Sequence, residues 1–226
     1  METKVPACRR LPGEDAGGLV VVSVIFCCAL VVSNLLAIKP LSVPGASWVM
    51  MDGGNLLFPL SYICGDLLVE VWGLKAAQRA IWLGFGASLA ASLSFAAVQA
   101  LPAAAGWDLD AAYAAVLGQA PRVAAASLLA FLCGEHLNAW LMARMKQRDG
   151  ARRFWWRALA STLVGEGADS AIFTLAAFGG LWGWDLVAKV ACWNYVLKVG
   201  YETVLLPVTG WLARRLGRQD EEEAVG

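Results

Sequence analysis

The feature that most constrains this chain is a succession of long apolar stretches. A helix needs about 20 mostly apolar residues to cross the hydrocarbon of a bilayer. Six stretches approach that length: Leu19 to Ile38, Leu56 to Trp72, Ala80 to Leu101, Val123 to Met145, Leu159 to Leu181 and Leu186 to Leu212. A soluble domain has no place to bury so many of them. Of the 226 residues, 59% are hydrophobic and 16% charged, where a soluble domain carries about 45–50% and about 25%. The expected fold class is an all-α membrane protein with about six transmembrane helices. Residues 19–212 then form a single transmembrane domain, between an N-terminal segment (1–18) and a polar, frayed tail (213–226).

The first stretch follows basic residues and so imitates a signal peptide. It runs on to Ile38, however, beyond a signal core of about 7–15 residues, and no A-x-A site follows, so it reads as an uncleaved span. Lys39-Pro40 stops it. The second stretch is short and carries Pro59, Asp66 and Glu70. Between the third and fourth, Pro102 to Ala120 reads as a loop with a short surface helix over Ala111 to Leu117.

Net charge is zero, which gives nucleic acid no field to bind, and the informative charge is local. Lysine and arginine mark cytoplasmic connections. Lys75 and Arg79 follow the second stretch; Arg144, Lys146, Arg148, Arg152, Arg153 and Arg157 follow the fourth. The chain starts with Lys4, Arg9 and Arg10 and ends with Arg214, Arg215 and Arg218. The alternate connections carry Asp52, Asp108, Asp110 and Asp185 instead, with Lys39 and Lys189 flanking that side at span ends. This alternation predicts an even number of spans in an inner (plasma) membrane, with both termini in the cytoplasm.

The cysteines form no C-x-x-C pair, and five of the six lie in apolar runs, where cysteine acts as a small hydrophobe. Gly84, Gly86, Ala87, Ala90 and Ala91 in the third span, with Gly165, Gly167 and Ala168 in the fifth, signal close helix packing. No internal repeat is convincing, although halves of three spans each would be inverted, as in many transporters.

Chemistry points to the ionisable groups inside the spans. Asp66 and Glu70 share a helical face in the second; Glu135, His136 and Asn138 lie in the fourth. Ser161, Thr162, Glu166 and Asp169 lie in the fifth, and Asn194, Lys198, Tyr201 and Glu202 in the sixth. Each charge facing lipid at a helix centre costs about 2.5–3.5 kcal/mol, so these groups must converge on one another or on a polar cavity. Pairs such as Lys198 with Glu202 or Asp169 would join helices. One lysine and one histidine cannot neutralise all these acids, so some carboxylates are protonated, hydrated or await a ligand. His136 reads as a packing residue. No metal, cofactor or enzymatic motif is present: H-E-x-x-H, G-x-S-x-G, Walker and dinucleotide patterns are all missing. Carboxylates suit a ligand edge with two parallel donors. Asn138 or Asn194 can read a neighbouring carbonyl or ring nitrogen, and aromatic side chains can stack on a flat base. This permits a nucleobase without selecting it over an amine or a cationic vitamin.

Several motifs together resemble one family. Ser33-Asn34 closes the first span; Phe58-Pro59 and Asp66 lie on the second, followed by Gly73 and Arg79. The stretch Arg157 to Phe173, with Ser161-Thr162, Gly165-Glu166 and Asp169-Ser170, is the most specific, and Lys198, Tyr201-Glu202 and Pro207 complete the set. Over residues 19–212 the chain resembles the VUT family, the YhhQ-type queuosine precursor transporters. The resemblance implies import of 7-cyano-7-deazaguanine and 7-aminomethyl-7-deazaguanine for queuosine in tRNA. It also implies a fold similar to the substrate-binding subunits of ECF transporters, with no ATPase recognisable in the chain. Carried over, Asn34, Asp66, Glu135, Asp169 and Lys198 stand at the family's polar positions. Glu135 and Glu166 stand where relatives are expected to carry an amide, which favours a cationic aminomethyl group.

The resulting expectation is a substrate site of Glu135, Asn138, Glu166, Asp169, Asn34, Asp66, Lys198 and Glu202. Glu135 with Glu166 or Asp169 reads the donor edge, Asn138 reads beside it, Lys198 neutralises an acid and Asp66 holds the helices. Its partners are the small 7-deazaguanine and the bilayer, with homo-oligomerisation left open. The alternatives are a carrier of another flat heterocyclic vitamin and a non-transporting scaffold.

Overall fold

The computed structural model describes the backbone of residues 16–149 and 154–223 and the side chains of 17–69, 71–141, 143–145, 147 and 159–205. Glu70, Lys146, Arg148, Arg152, Arg153, Arg157 and the basic residues of both ends therefore lie outside the described side chains.

Six long helices appear where the apolar stretches lie: α1 (Ala16–Leu36), α2 (Phe58–Trp72), α3 (Leu74–Gln99), α5 (Ala120–Asp149), α6 (Phe154–Phe178) and α7 (Trp184–Glu223). The short α4 (Asp110–Leu117) is the expected surface helix, exposed along most of its length. Gly17–Leu36, Leu74–Gln99 and the stretch Asp110–Met145 are long and apolar enough to cross a membrane. Helices α6 and α7 are long but interrupted by Glu166, Asp169, Lys198 and Glu202, which lowers their apolar share. At about 1.5 Å per residue, the 15 residues of α2 reach about 22 Å, short of a core of about 30 Å. The chain is an all-α membrane protein, with one β-hairpin among the described residues.

That element lies between α1 and α2, where the sequence suggested only an acidic connection. Strands β1 (Pro40–Val43) and β2 (Ala46–Asp52) pair antiparallel, Pro40 opposite Asp52 and Leu41 opposite Met51. Pro44-Gly45 makes the turn, with Gly45 at φ +83°, the conformation that favours glycine there. A single 3-10 turn, Gly53–Leu56, follows and packs under the end of α1. Ser33 Oγ donates to Gly54 O at 3.2 Å, and Gly53 N to Lys39 O at 2.9 Å. A Cβ on Gly54 would fall 2.8 Å from Ser33 O, so the turn docks only without a side chain.

The apolar core is split. One cluster joins Phe26, Cys64, Leu68, Ala77 and Ala80 across α1, α2 and α3. The other joins Ala37 and Ile38 to Val123, Ala126 and Ala130 of α5, Phe173 and Phe178 of α6, and Val187 of α7. Arg122 adds a clasp at this end, donating to Ala176 O at 2.8 Å and Gly179 O at 2.6 Å. Ala176 lies in the last turn of α6, whose carbonyls have no helical partner, and Gly179 directly follows that helix. The last helix also differs from expectation: the tail continues in α7 to Glu223 rather than fraying after Leu212. Its arginine, glutamine and glutamate residues are good helix formers.

Candidate functional site

A cavity of about 240 Å³ opens among α2, α5, α6 and α7. Its walls bring together seven of the eight residues expected from sequence. Asp66 comes from α2, Glu135 and Asn138 from α5, Glu166 and Asp169 from α6, and Lys198 and Glu202 from α7. Asn34 is the exception. It donates to Ser88 Oγ at 2.8 Å and joins α1 to α3, away from the cavity lining.

Lys198 organises one wall. It is buried, with 5% of its side chain exposed, and it forms an ion pair with Asp169. Glu166 Oε2 lies 3.9 Å from the same ammonium. The Phe58 ring lies beneath it, 4.6 Å from Nζ to centroid, so three groups stabilise the buried charge. Of the two pairings that sequence allowed, the Asp169 pair forms. Glu202 instead accepts from Thr162 Oγ1 at 3.5 Å.

Tyr62 is the contributor that sequence reasoning missed. Its hydroxyl lies 3.4 Å from both oxygens of Glu166, and its ring lines the cavity. The available signal was spacing, because Tyr62 precedes Asp66 by four residues and so shares its helical face. Gly134 and Gly165 also line the cavity and let α5 and α6 approach closely. His136 lies outside this lining, with Nδ1 2.7 Å from Leu132 O on its own helix.

Toward the hairpin, a second polar cluster sits one turn away along α7. Asn194 donates through Nδ2 to Asp52 Oδ2, while its Oδ1 accepts from Asn55 Nδ2 at 2.7 Å and from Asp52 N at 3.3 Å. Asp52 Oδ1 also caps the 3-10 turn, taking Gly54 N at 2.8 Å. All three side chains are at most 1% exposed. Asn194, a candidate reader of the ligand, is thus committed to the hairpin. Asp52 read in sequence only as an acidic connection residue and Asn55 was not singled out, because a connection gives no reason to expect burial. Trp193 Nε1 fastens the same helix to Trp48 O at 3.0 Å.

The arrangement is a carboxylate-rich cavity between α2, α5, α6 and α7. Sequence comparison decides the family. The profile of the family described as "Putative vitamin uptake transporter" matches residues 52–212. The chain belongs to that family. A Bacillus subtilis protein named "Probable queuosine precursor transporter" is 27% identical over 197 residues, spanning 87% of this chain and 84% of that protein. An Escherichia coli protein named "Queuosine precursor transporter" is 30% identical over 148 residues, spanning 65% of this chain and 62% of that one. No solved structure matches the chain. The family match covers α2 to the middle of α7 and so contains the whole cavity. As a member of the vitamin uptake transporter family, the chain is a membrane transporter and not an enzyme.

Proposed function

We propose that this chain imports queuosine precursors, 7-cyano-7-deazaguanine and 7-aminomethyl-7-deazaguanine, across the inner membrane. The observation that carries this reading is the cavity itself. Carboxylates of Asp66, Glu135, Glu166, Asp169 and Glu202 surround one lysine in a space suited to a single bicyclic heterocycle. A 7-deazaguanine offers N1–H and an exocyclic amine as parallel donors, the edge that a carboxylate accepts in two bonds. Asn138 lies beside them to read a further polar atom of the ring. The names of the two relatives support the same solute class. A scaffold would need no such chamber.

The test is uptake into cells that can neither make the precursors nor import them by another route. Expression of the chain should restore queuosine in tRNA when either precursor is supplied. Absence of queuosine with both, despite normal protein in the membrane, would sink the reading.

The same proposal includes a single transport domain of six spans over residues 19–212, with the ends 1–18 and 213–226 in the cytoplasm. Lys75, Arg79 and Arg144 all lie at the helix ends remote from the hairpin, which supports this orientation. The cavity then faces the cytoplasmic half of the bilayer, with the Asp52–Asn55–Asn194 cluster toward the outer side. A reporter active only outside the cytoplasm should work after Asp108 and fail after Arg148. Activity after Arg148 would reverse the orientation.

A further inference from the structure

The two helices that cross beside the cavity carry the same short pattern. Helix α5 reads Gly134-Glu135-His136-Leu137-Asn138, and α6 reads Gly165-Glu166-Gly167-Ala168-Asp169. Each is glycine, glutamate, two residues, then an amide or acid of one shape. Their contacts are reciprocal. A Cβ on Gly134 would lie 3.0 Å from both Asp169 Cβ and Gly165 O. A Cβ on Gly165 would lie 2.9 Å from Asn138 Cβ and 3.0 Å from Gly134 O. Position 134 meets 169 and position 165 meets 138, the relation that a local twofold axis produces between two antiparallel helices. This inverted repeat is local, between neighbouring helices. It makes Glu135 and Glu166 equivalent positions on one cavity.

Their surroundings are not equivalent. Glu166 has the Tyr62 hydroxyl 3.4 Å from both oxygens and the Lys198 ammonium at 3.9 Å, while Asp169 is paired with Lys198. On the other helix, no hydrogen bond or ion pair reaches Glu135 or Asn138 among the described residues. A carboxylate already facing an ammonium offers acceptor oxygens with little further pull on a cation. Among the described residues Glu135 faces no ammonium, only the basic ring of the adjacent His136, and its oxygens are open to a ligand that brings the charge.

We propose that this twofold frame is a two-ended clamp, in which Glu135 binds a cationic group of the substrate and Glu166 reads a neutral edge of paired donors. The substrate class is a flat heterocycle with a donor edge at one side and a protonated amine at another. Resting on the queuosine-precursor reading, the clamp selects the aminomethyl compound over the cyano compound.

The experiment offers both precursors in competition to cells unable to make either and reads the ratio taken up, which is independent of how much protein reaches the membrane. The unaltered chain should favour the aminomethyl compound. Glu135→Gln should reduce its uptake about 10- to 100-fold relative to the cyano compound, the worth of a charged hydrogen bond. Glu135→Asp retains the charge and should retain the preference. Glu166→Gln should reduce both compounds by a similar factor and leave the ratio unchanged. An unchanged ratio in Glu135→Gln, or a ratio altered by Glu166→Gln instead, overturns the clamp while leaving the import reading intact. Uptake of neither compound by the unaltered chain removes both.

Discussion

Asn194 and Lys198 stand one turn apart on the same side of α7, yet the clusters around them differ in how far their polar groups are paired. Around Asn194, the Asp52 carboxylate takes donors from Asn194, Asn55 and Gly54, and Asn55 and Asp52 N both donate to Asn194 Oδ1. One atom there, Asn55 Oδ1, has no partner among the described residues. Around Lys198 a single ammonium faces Asp169 and Glu166, while Asp66, Glu135 and Glu202 share its chamber. The first cluster is close to complete and buried; the second gathers more carboxylates than ammonium groups around open space. A buried polar network fixes structure when its members are satisfied. One with surplus carboxylates and a cavity has room for a ligand. The difference separates a structural cluster from the proposed site along a single helix.

Removing Lys198 should break this contrast most severely. Lys198→Ala leaves Asp169 and Glu166 without their counter-charge, and breaking a truly buried pair costs about 3–5 kcal/mol. The expected outcome is low abundance in the membrane together with lost uptake. Both can be measured in the same cells, by immunoblot of membranes and by precursor accumulation. Normal abundance and normal uptake together would show that the acids are neutralised by other means and that the pair holds nothing in place.

Much of this contrast could be read in the sequence, and the reasons for the failures are physical. Lipid imposes a length on every span, so the six apolar stretches predicted the positions of the long helices. A charge in lipid is costly, so Asp66, Glu135, Glu166, Asp169, Lys198 and Glu202 were recognisable as inward-facing. Which way an uncharged amide faces is not encoded so strongly. Asn34 and Asn194 look much like Asn138 in sequence, but α1 turns the first to Ser88 and α7 turns the second to Asp52. The hairpin went unread because its strands are short and lie between spans, though Pro44-Gly45 marked its turn. The inverted pattern over 134–138 and 165–169 was missed because a repeat was sought between halves of the chain. Only the reciprocal packing of the two glycines reveals it.

A smaller effect is expected from the structural cluster, and it sharpens the comparison because it separates structure from recognition. Asn194→Ala removes the donor to Asp52 Oδ2 and the acceptor for Asn55 Nδ2 and Asp52 N. Asp52 keeps Gly54 N and Asn55 Nδ2, so its carboxylate is weakened but not stranded. The backbone N–H of Asp52 loses its acceptor in a fully buried position. Leaving such a group unsatisfied costs about 1–3 kcal/mol, less than exposing the charges of the ion pair. None of these atoms lines the cavity. Asn194→Ala protein purified in detergent should therefore unfold at a lower temperature than the unaltered chain, yet be stabilised by a precursor to the same extent. Lys198→Ala protein should lose that ligand-dependent stabilisation altogether. If Asn194→Ala abolishes stabilisation by the precursor, the two clusters act as one unit. Asn194 then belongs to the site, and the division of α7 into a structural cluster and a site is wrong.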